Sequence, residues 1–348
     1  MEISSDLPRI RLSTNFPWMP LHRQTPGSKG VWGGYRFVTD DAPDADHGDF
    51  AAWVVYNNLP LGAPMAIRCP AERTFLLVGE PPSRGELNPD FAQQFARVIS
   101  CLGQPGDARS MRTQQSLPWW VGLRRQGPKS FDTRLDYDRL SAMPPIEKTG
   151  ALSIVCSNLI ITPEHRQRVD FVRRLQRHFG PRLEIFGSGF RPIEDKWDAI
   201  APFKYHIALE NSSVADYWTE KLADTFLAGA LPIYAGCPNI HDYFSPASLL
   251  HIRIDRPEDA IERIEHALAS GRYEASLEAI RDSRRRVLDE YNLYPFVTRL
   301  VESVPVTPPV VTRIRPSRHF APSPGMRVRR LRHLAREAVA RRWHRLVG

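Results

Sequence analysis

The stretch that decides the fold is FKYHIALENSSVADYWTEKLADTFLAGALPIYAG, residues 203–236. Its mostly apolar beginning, Tyr205–Leu209, predicts a strand that ends at the polar turn Glu210–Ser213. Thr219 stands where a helix N-cap belongs, and the helical pattern after it gives way to a second short strand, Leu231–Tyr234. Strand, helix and strand in this order predict one unit of a parallel α/β sheet.

Polar side chains gather where this helix begins. Asn211 follows the first strand, and Tyr217, Glu220 and Lys221 surround the predicted N-cap. At this edge of an open α/β sheet, the free N–H groups and the dipole of a helix favour phosphate groups. A lysine adds positive charge for a phosphate, and a carboxylate beside it can hold a ribose hydroxyl. An ordinary capped helix with a surface ion pair would show the same residues, so the pattern alone leaves both interpretations open.

The segment resembles the signature of glycosyltransferase family 10, the α-1,3/4-fucosyltransferases. The shared positions are Phe203-Lys204-Tyr205, Glu210-Asn211-Ser212, Asp216-Tyr217, Thr219-Glu220-Lys221, Pro232-Ile233 and Gly236. Leu209 departs from the family, which usually has an aromatic residue there. The resemblance implies an α/β protein of GT-B architecture, in which two Rossmann-like domains face each other across a cleft. It also implies a GDP-fucose donor and no obligatory metal or other cofactor.

Two motifs outside this stretch extend the resemblance. Gly79-Glu80 ends the strand-like run Thr74–Val78, and the family has a Gly-Glu here whose glutamate activates the acceptor hydroxyl. The resemblance therefore implies that Glu80 is the catalytic base, although a loop acid before a proline is also a common structural feature. The family also has Ser-Asn, here Ser157-Asn158, and then an arginine three residues before an aromatic residue and seven before a leucine. Arg168 has this spacing to Phe171 and Leu175, and the resemblance implies that it grips the nucleotide diphosphate. Several other arginines lie on the same predicted helix, so a solvent-exposed position without a ligand stays an alternative for Arg168.

The implied reaction is inverting transfer of fucose from GDP-fucose to a hydroxyl of an oligosaccharide or lipid-linked glycan. In it, Glu80 acts as the base, Arg168 and Lys221 stabilise the departing GDP, and the remaining donor contacts come from Asn211, Tyr217 and Glu220. Another GDP-sugar is an alternative donor, since nothing in the sequence identifies the sugar ring. A non-catalytic nucleotide-sugar-binding protein of the same fold is a second alternative, which the joint presence of Glu80, Arg168 and Lys221 disfavours.

The predicted secondary structure and the composition divide the chain into four parts. Residues 1–150 predict an irregular N-terminal domain with strands at 35–39, 51–56 and 74–78 and a helix at 89–101, and the resemblance implies that it lies on the acceptor side. Residues 151–303 alternate strands and helices, which predicts a parallel sheet, and the resemblance implies that this C-terminal domain binds the GDP-sugar. Residues 304–325 are a Pro-rich linker, and residues 326–348 are a basic amphipathic tail.

The net charge of +8 is concentrated near the end of the chain. Residues 311–348 hold eleven arginines against Glu337 alone, so the preceding 310 residues carry a net charge of −2. A basic amphipathic helix suits an anionic membrane surface, although packing of this helix onto the folded body stays an alternative. Nucleic acid is disfavoured as a partner, because the tail shows no recognition module.

Several other classes of protein are disfavoured. No apolar run of about 18 residues could span a membrane, and Met1–Leu12 lacks the apolar core of a signal peptide. The four cysteines form no CxxC pair, which favours reduced thiols in a cytoplasmic protein, peripheral to the inner membrane face if the tail binds it. The triplets Asp44-Ala45-Asp46 and Asp136-Tyr137-Asp138 lie in turn-like or charged stretches and are not expected to bind a metal.

Overall fold

The computed structural model describes residues 7–60, 62–81, 87–104, 106–116, 118–158 and 163–322. The predicted tail helix, residues 326–348, lies outside the described residues. Within the described ranges, no helix combines the length and the apolarity that crossing a bilayer requires.

A mostly parallel sheet organises the N-terminal unit. Its strands run in the order β2-β3-β1-β4-β6-β7-β8, and only β2 pairs antiparallel within it. The strands of this unit, including a hairpin formed by β9 and β10, are β1 Arg9–Thr14, β2 Val31–Trp32, β3 Tyr35–Thr39, β4 Ala52–Tyr56, β5 Met65–Cys69, β6 Thr74–Leu77, β7 Arg97–Ser100, β8 Ser110–Arg112, β9 Leu123–Gly127 and β10 Ser130–Thr133. Its helices are α1 Pro89–Ala92 and α2 Tyr137–Ser141.

The C-terminal unit is built on a wholly parallel sheet with the order β12-β11-β13-β14-β15. Its strands are β11 Gly150–Val155, β12 Leu183–Phe186, β13 Phe203–Leu209, β14 Leu231–Ala235 and β15 Leu250–His251. Its helices are α3 Pro163–Phe179, α4 Trp197–Ile200, α5 Glu220–Leu227, α6 Pro257–Ala269, α7 Arg272–Ala275 and α8 Leu277–Asp289. Two units with parallel sheets confirm the predicted α/β class and the two-domain GT-B architecture.

Strand β13 is buried on both faces, which fixes α5 against the sheet. Ile207 lies in the cluster that contains Phe171 of α3, whereas its neighbour Ala208 lies in the cluster that contains Leu222 and Phe226 of α5. Successive strand side chains point to opposite faces, so one strand supports helices on both sides. Each large apolar side chain buried in this way contributes about 1.5–3 kcal/mol. The N-terminus of α5 is therefore held at the carboxyl edge of the sheet.

The chain returns to the N-terminal unit after α8. Helix α9, Leu293–Glu302, packs Val297 and Val301 into the same core as Ile10 of β1. Strand β16, Val310–Ile314, then pairs antiparallel with β5. The predicted Pro-rich linker is therefore wrong as a free spacer over residues 304–322, because β16 within it supplies β-branched residues to a ladder. The boundary near residue 150 stays a prediction.

Some predicted elements differ from the structure. The helix expected over 89–101 is wrong, since α1 ends at Ala92 and Arg97–Ser100 is the parallel strand β7. The β-branched Val98 and Ile99 favour a strand, and pairing between β6 and β8 decides the outcome. The four cysteines all lie in described parts of the chain, and each is a buried free thiol, as predicted.

Candidate active site

The link between β13 and α5 is built on a buried carboxylate. Glu210 directly follows β13, and its two carboxylate oxygens accept hydrogen bonds of 2.7 Å from the backbone N–H and the hydroxyl of Thr219. The Thr219 hydroxyl oxygen in turn accepts the Lys221 N–H at 3.3 Å, which confirms Thr219 as the N-cap of α5. Gly236 is required beside it, because a Cβ there would stand 2.4 Å from Glu210 Cγ. The start of α5 is thus clamped to the end of β13.

A row of alternating charges crosses the first turns of α5. Lys221 Nζ lies 3.3 Å from Glu220 Oε1 and 3.4 Å from Glu210 Oε2. Lys196, which immediately precedes α4, places its Nζ 3.5 Å from Glu220 Oε1 and 3.1 Å from Asp224 Oδ2. Each carboxylate in the row is therefore within reach of an ammonium group.

These neighbours shift the pKa values of the row. Burial opposes ionisation of Glu220, but Lys221 and Lys196 outweigh it and lower the pKa of Glu220 to about 2. Burial likewise opposes the charge of Lys221, yet the two carboxylates raise its pKa above the ordinary value. Burial raises the pKa of Asp224. The ammonium of Lys221 and the carboxylate of Glu220 are consequently both charged at neutral pH.

Arg168 reaches the same edge from α3. Its Nη1 donates to Asn211 Oδ1 at 2.5 Å, and its Nη2 lies 3.5 Å from the Ser157 carbonyl oxygen. Its buried Nε has no hydrogen-bond acceptor among the described residues. An arginine that is only partly satisfied by the protein retains N–H groups for a bound anion.

These side chains line one cavity of about 330 Å³. Four residues expected from the sequence form part of its wall: Arg168, Asn211, Glu220 and Lys221. Tyr217 is not among the lining residues of the described chain and is only 4% exposed. Sequence reasoning missed Lys196, His206 and Asp224, which also line the cavity, because no spacing pattern connects them to the motif. Three cationic side chains and a helix N-terminus in one cavity suit an anionic ligand such as a diphosphate.

Glu80 follows β6 and is exposed. The backbone before it is fixed by the Gly79 N–H, which donates to Asn57 Oδ1 at 2.6 Å. Burial raises the pKa of both Tyr56 and Tyr217, and the charges of Glu80 and Glu220 raise both further. A catalytic role of Glu80 stays a prediction.

Contacts between the two units surround this region. Asp216 accepts hydrogen bonds from Arg112 Nε at 2.6 Å and from the Tyr243 hydroxyl at 2.7 Å. Asp224 Oδ1 accepts the backbone N–H groups of Trp120 and Val121 at 2.9 and 3.1 Å. Both acids belong to the C-terminal unit, whereas Arg112, Trp120 and Val121 belong to the N-terminal unit. These hydrogen bonds between the two units lie beside the cavity, whose lining residues all belong to the C-terminal unit.

The two D-x-D triplets have structural contacts. Asp44 forms ion pairs with Arg9 and Arg36. Asp136 caps α2, where its side chain accepts the Arg139 N–H. Neither acid is among the residues that line the cavity.

Known proteins that resemble this chain match the part of it that contains the cavity. Residues 146–265 match the family model described as glycosyltransferase family 10 (fucosyltransferase), C-terminal. The predicted family resemblance is thereby confirmed for this segment. The family 10 segment begins just before β11 and ends within α6, so it contains every residue that lines the cavity.

Individual relatives match over part of their length. Alpha-(1,3)-fucosyltransferase 4 of Bos taurus is 35% identical over 119 residues, which cover 32% of this chain and 28% of the relative. Alpha-(1,3)-fucosyltransferase 7 of Bos taurus is 29% identical over 151 residues, which cover 40% of this chain and 42% of the relative. The chain thus spans less than half the length of these curated relatives. A crystal structure of an α1,3-fucosyltransferase with GDP-fucose aligns with a TM-score of 0.46 and 16% identity, over 84% of this chain and 95% of that one.

Proposed function

We propose that this protein transfers fucose from GDP-fucose to a hydroxyl group of a glycan. The observation that carries the proposal is the cavity in which Arg168, Lys196 and Lys221 meet at the N-terminus of α5. It lies within the segment that matches family 10. An anion bound there would take part of its stabilisation from protein cations and part from the free N–H groups of α5.

The donor contacts follow from the side chains present. Arg168 and Lys221 would bind the diphosphate, the guanidinium through directed N–H groups and the ammonium as a point charge. Glu220, which is ionised between its two lysines, would accept a hydrogen bond from a ribose hydroxyl. Asn211 would orient Arg168 through the 2.5 Å contact already present. A contact of Tyr217 with the donor stays a prediction.

The reaction would be a single displacement. Glu80 takes the proton of the acceptor hydroxyl, whose oxygen forms a bond to C1 of fucose while the bond from C1 to the phosphate oxygen breaks. The bonding electron pair leaves with GDP, and the cations of the cavity stabilise the charge that develops on the diphosphate. One displacement inverts the configuration at C1, since no second covalent step restores it.

Donor specificity is tested by calorimetry of the full chain with GDP, GDP-fucose, GDP-mannose and UDP-galactose. We expect both GDP and GDP-fucose to bind and GDP-fucose to support glycan transfer. Binding of GDP-mannose and turnover with it alone would identify a different GDP-sugar transferase. Binding of UDP-galactose but of no GDP compound would contradict the proposal.

The base is tested by Glu80→Gln, which keeps the shape of the side chain and removes its basicity. We expect kcat to fall by about 10²-fold or more while GDP-fucose affinity stays unchanged. Glu72→Gln is the matched control, because Glu72 is exposed just before the start of the same strand, β6. Turnover of Glu80→Gln at the level of this control would assign the base to another residue.

A further inference from the structure

The donor cavity brings together equal numbers of positive and negative side chains. Three cations and three carboxylates meet in its wall or directly beside it: Arg168, Lys196, Lys221, Glu210, Glu220 and Asp224. Their formal charges sum to zero. A diphosphate that enters would therefore add negative charge to a neutral and partly buried cluster, which is costly unless it is compensated. Proton uptake by one of the carboxylates would reduce this excess charge.

Two of the three carboxylates are poorly suited to take up that proton. Burial opposes the charge of Glu220, but the lysines on either side of it lower its pKa to about 2, so it stays ionised. Both oxygens of Glu210 accept hydrogen bonds of 2.7 Å from Thr219, which is fixed as the N-cap of α5. Each oxygen of Glu210 is thus already engaged by a donor that cannot leave with a ligand.

Asp224 is the carboxylate whose counter-ion can move. It is completely buried, and its Oδ1 accepts the backbone N–H groups of Trp120 and Val121. Among the described residues, its Oδ2 has one hydrogen-bond donor, the Lys196 ammonium at 3.1 Å. The Lys196 side chain is 25% exposed and lines the cavity, so its ammonium can turn from Asp224 towards a bound phosphate. Asp224 Oδ2 would then be a buried anionic oxygen without a cation.

The other charged or titratable groups around Asp224 do not replace Lys196. They lie on α5, on β13, just before α4 and in the N-terminal unit: Glu220, His206, Asp195, Arg23 and Arg134. The first and third of these are acids, and burial, followed by nearby lysines, lowers the pKa of His206 to about 3, so it is neutral at neutral pH. Arg23 donates to the backbone carbonyl groups of residues 121 and 135, and Arg134 pairs with Asp195 at 3.1 Å.

We propose that binding of a nucleotide diphosphate is coupled to the uptake of one proton by Asp224, because the ligand takes Lys196 away from it. The Lys196 ammonium moves to the diphosphate, and a proton from the solvent binds to Asp224 Oδ2. The buried carboxyl group becomes neutral, while its Oδ1 keeps both backbone donors. Lys196 thus becomes a third cation for the donor beside Arg168 and Lys221, and Asp224 is the positioning residue that holds it in the wall.

The coupling has a definite sign. The complex contains more protons than the free protein, so affinity rises as the pH falls and is lost as the pH rises. That the diphosphate is GDP-fucose rests on the proposed function, whereas the coupling requires only a diphosphate in the cavity.

Calorimetry of GDP-fucose binding to the full chain, in buffers with different ionisation enthalpies, counts the protons that are exchanged. Both phosphates of GDP-fucose are esterified, so it lacks the terminal phosphate that titrates near about pH 6, and an exchanged proton comes from the protein. We expect uptake of about one proton per GDP-fucose at pH 7.5. The affinity should fall by up to about tenfold per pH unit between pH 6.5 and pH 8.

Variants assign the proton to a residue. Asp224→Asn keeps the shape and an acceptor oxygen for the two backbone donors, so we expect it to bind GDP-fucose without proton uptake and without the pH dependence. Lys196→Gln should also lose the uptake, because Asp224 then has no ammonium to release. Asp195→Asn is the matched control and should keep the uptake. Asp195 is 1% exposed and accepts the Gly122 N–H at 2.9 Å, but it is not among the described residues that line the cavity.

The outcomes separate this coupling from the transferase proposal. Binding of GDP-fucose to the wild-type protein with no proton uptake would overturn the coupling and leave the transferase intact, and this measurement does not depend on the folding of any variant. Equal uptake by the wild-type protein and a folded Asp224→Asn variant, checked by circular dichroism, would also overturn it. Binding of GDP but not of GDP-fucose would contradict the transferase. The coupling would then be measured with GDP at pH 8, where the terminal phosphate is ionised.

Discussion

At the scale of single residues, the site depends on charged groups that stabilise one another inside the protein. Lys221 is close to both Glu210 and Glu220, so removing its ammonium would leave two carboxylates with less compensation. Breaking a buried ion pair from one side costs about 3–5 kcal/mol. A Lys221 variant would therefore change both the stability of the protein and its affinity for GDP. Arg168 is the better probe, because it hydrogen bonds to neutral oxygens.

We expect Arg168→Gln to weaken GDP binding by about 10- to 100-fold, the effect of a lost charge-assisted hydrogen bond. Arg166→Gln is the control, because Arg166 lies on the same helix but is exposed. Calorimetry with GDP measures both. Equal affinities of the two variants would remove Arg168 from the donor site.

His206 gives a pH-dependent prediction at the same scale. Burial, followed by the charges of Lys196 and Lys148, lowers the pKa of His206 from 6.5 to about 3. Below pH 6.5 this histidine binds a proton in the unfolded chain, whereas in the folded chain it stays neutral down to about pH 3. Protonation therefore favours the unfolded state, and the free energy of unfolding falls as the pH falls through this range. The expected loss is about 1.4 kcal/mol per pH unit across that window.

The His206→Gln variant should remove this contribution. Denaturant unfolding of the variant and the wild-type protein at pH 7.5 and pH 5 gives the difference directly. We expect the wild-type protein to lose more stability than the variant on acidification. An identical loss in both proteins would mean that His206 is protonated in the folded state.

At the scale of elements, sequence patterns predicted those segments whose local preference agrees with their tertiary role. The β13–α5–β14 unit has clear periodicity and an N-cap, and its predicted strands and N-cap agree with the structure within a few residues. Strand β7 was mistaken for helix, because four residues are too few to show a period. Strand β16 was missed among prolines, since only its distant partner β5 gives it a ladder.

The residues of the candidate site also fall into two groups, those that the sequence predicts and those that it does not. Asn211, Glu220 and Lys221 belong to one contiguous motif, and Arg168 was found through its spacing. Lys196 and Asp224 meet only because the chain before α4 packs beside α5, which is a contact that local sequence does not encode.

The role of β16 is tested with two substitutions in this strand. We expect Ile314→Ala to destabilise the protein by about 2–5 kcal/mol, because Ile314 is completely buried against the N-terminal unit. Val311→Ala should change stability by less than about 0.5 kcal/mol, since that side chain is 59% exposed. Urea unfolding compares the two variants. Equal effects would mean that β16 does not contribute to the folded core.

At the scale of the whole molecule, charge is distributed unevenly along the chain. Residues 326–348 hold eight arginines and Glu337. Basic residues near an anionic membrane contribute roughly 1 kcal/mol each. Membrane binding through this segment stays a prediction.

We expect a chain that ends at residue 325 to bind GDP like the full chain but to lose its affinity for vesicles containing phosphatidylserine. Flotation at low and high salt measures this, and high salt should release the full chain as well. Equal flotation of both chains would show that the tail is not the anchor. Loss of GDP binding in the shortened chain would indicate that the tail belongs to the folded body.

The return of α9 and β16 to the first sheet has a consequence for recombination between related chains. The polypeptide leaves the N-terminal unit once and comes back once, so the C-terminal unit is inserted in it as a cassette. A chimera made with a single crossover near residue 150 would pair the N-terminal sheet of one parent with α9 and β16 of the other. Two crossovers, near residues 150 and 290, would exchange the C-terminal cassette and leave the first core with its own closing helix and strand.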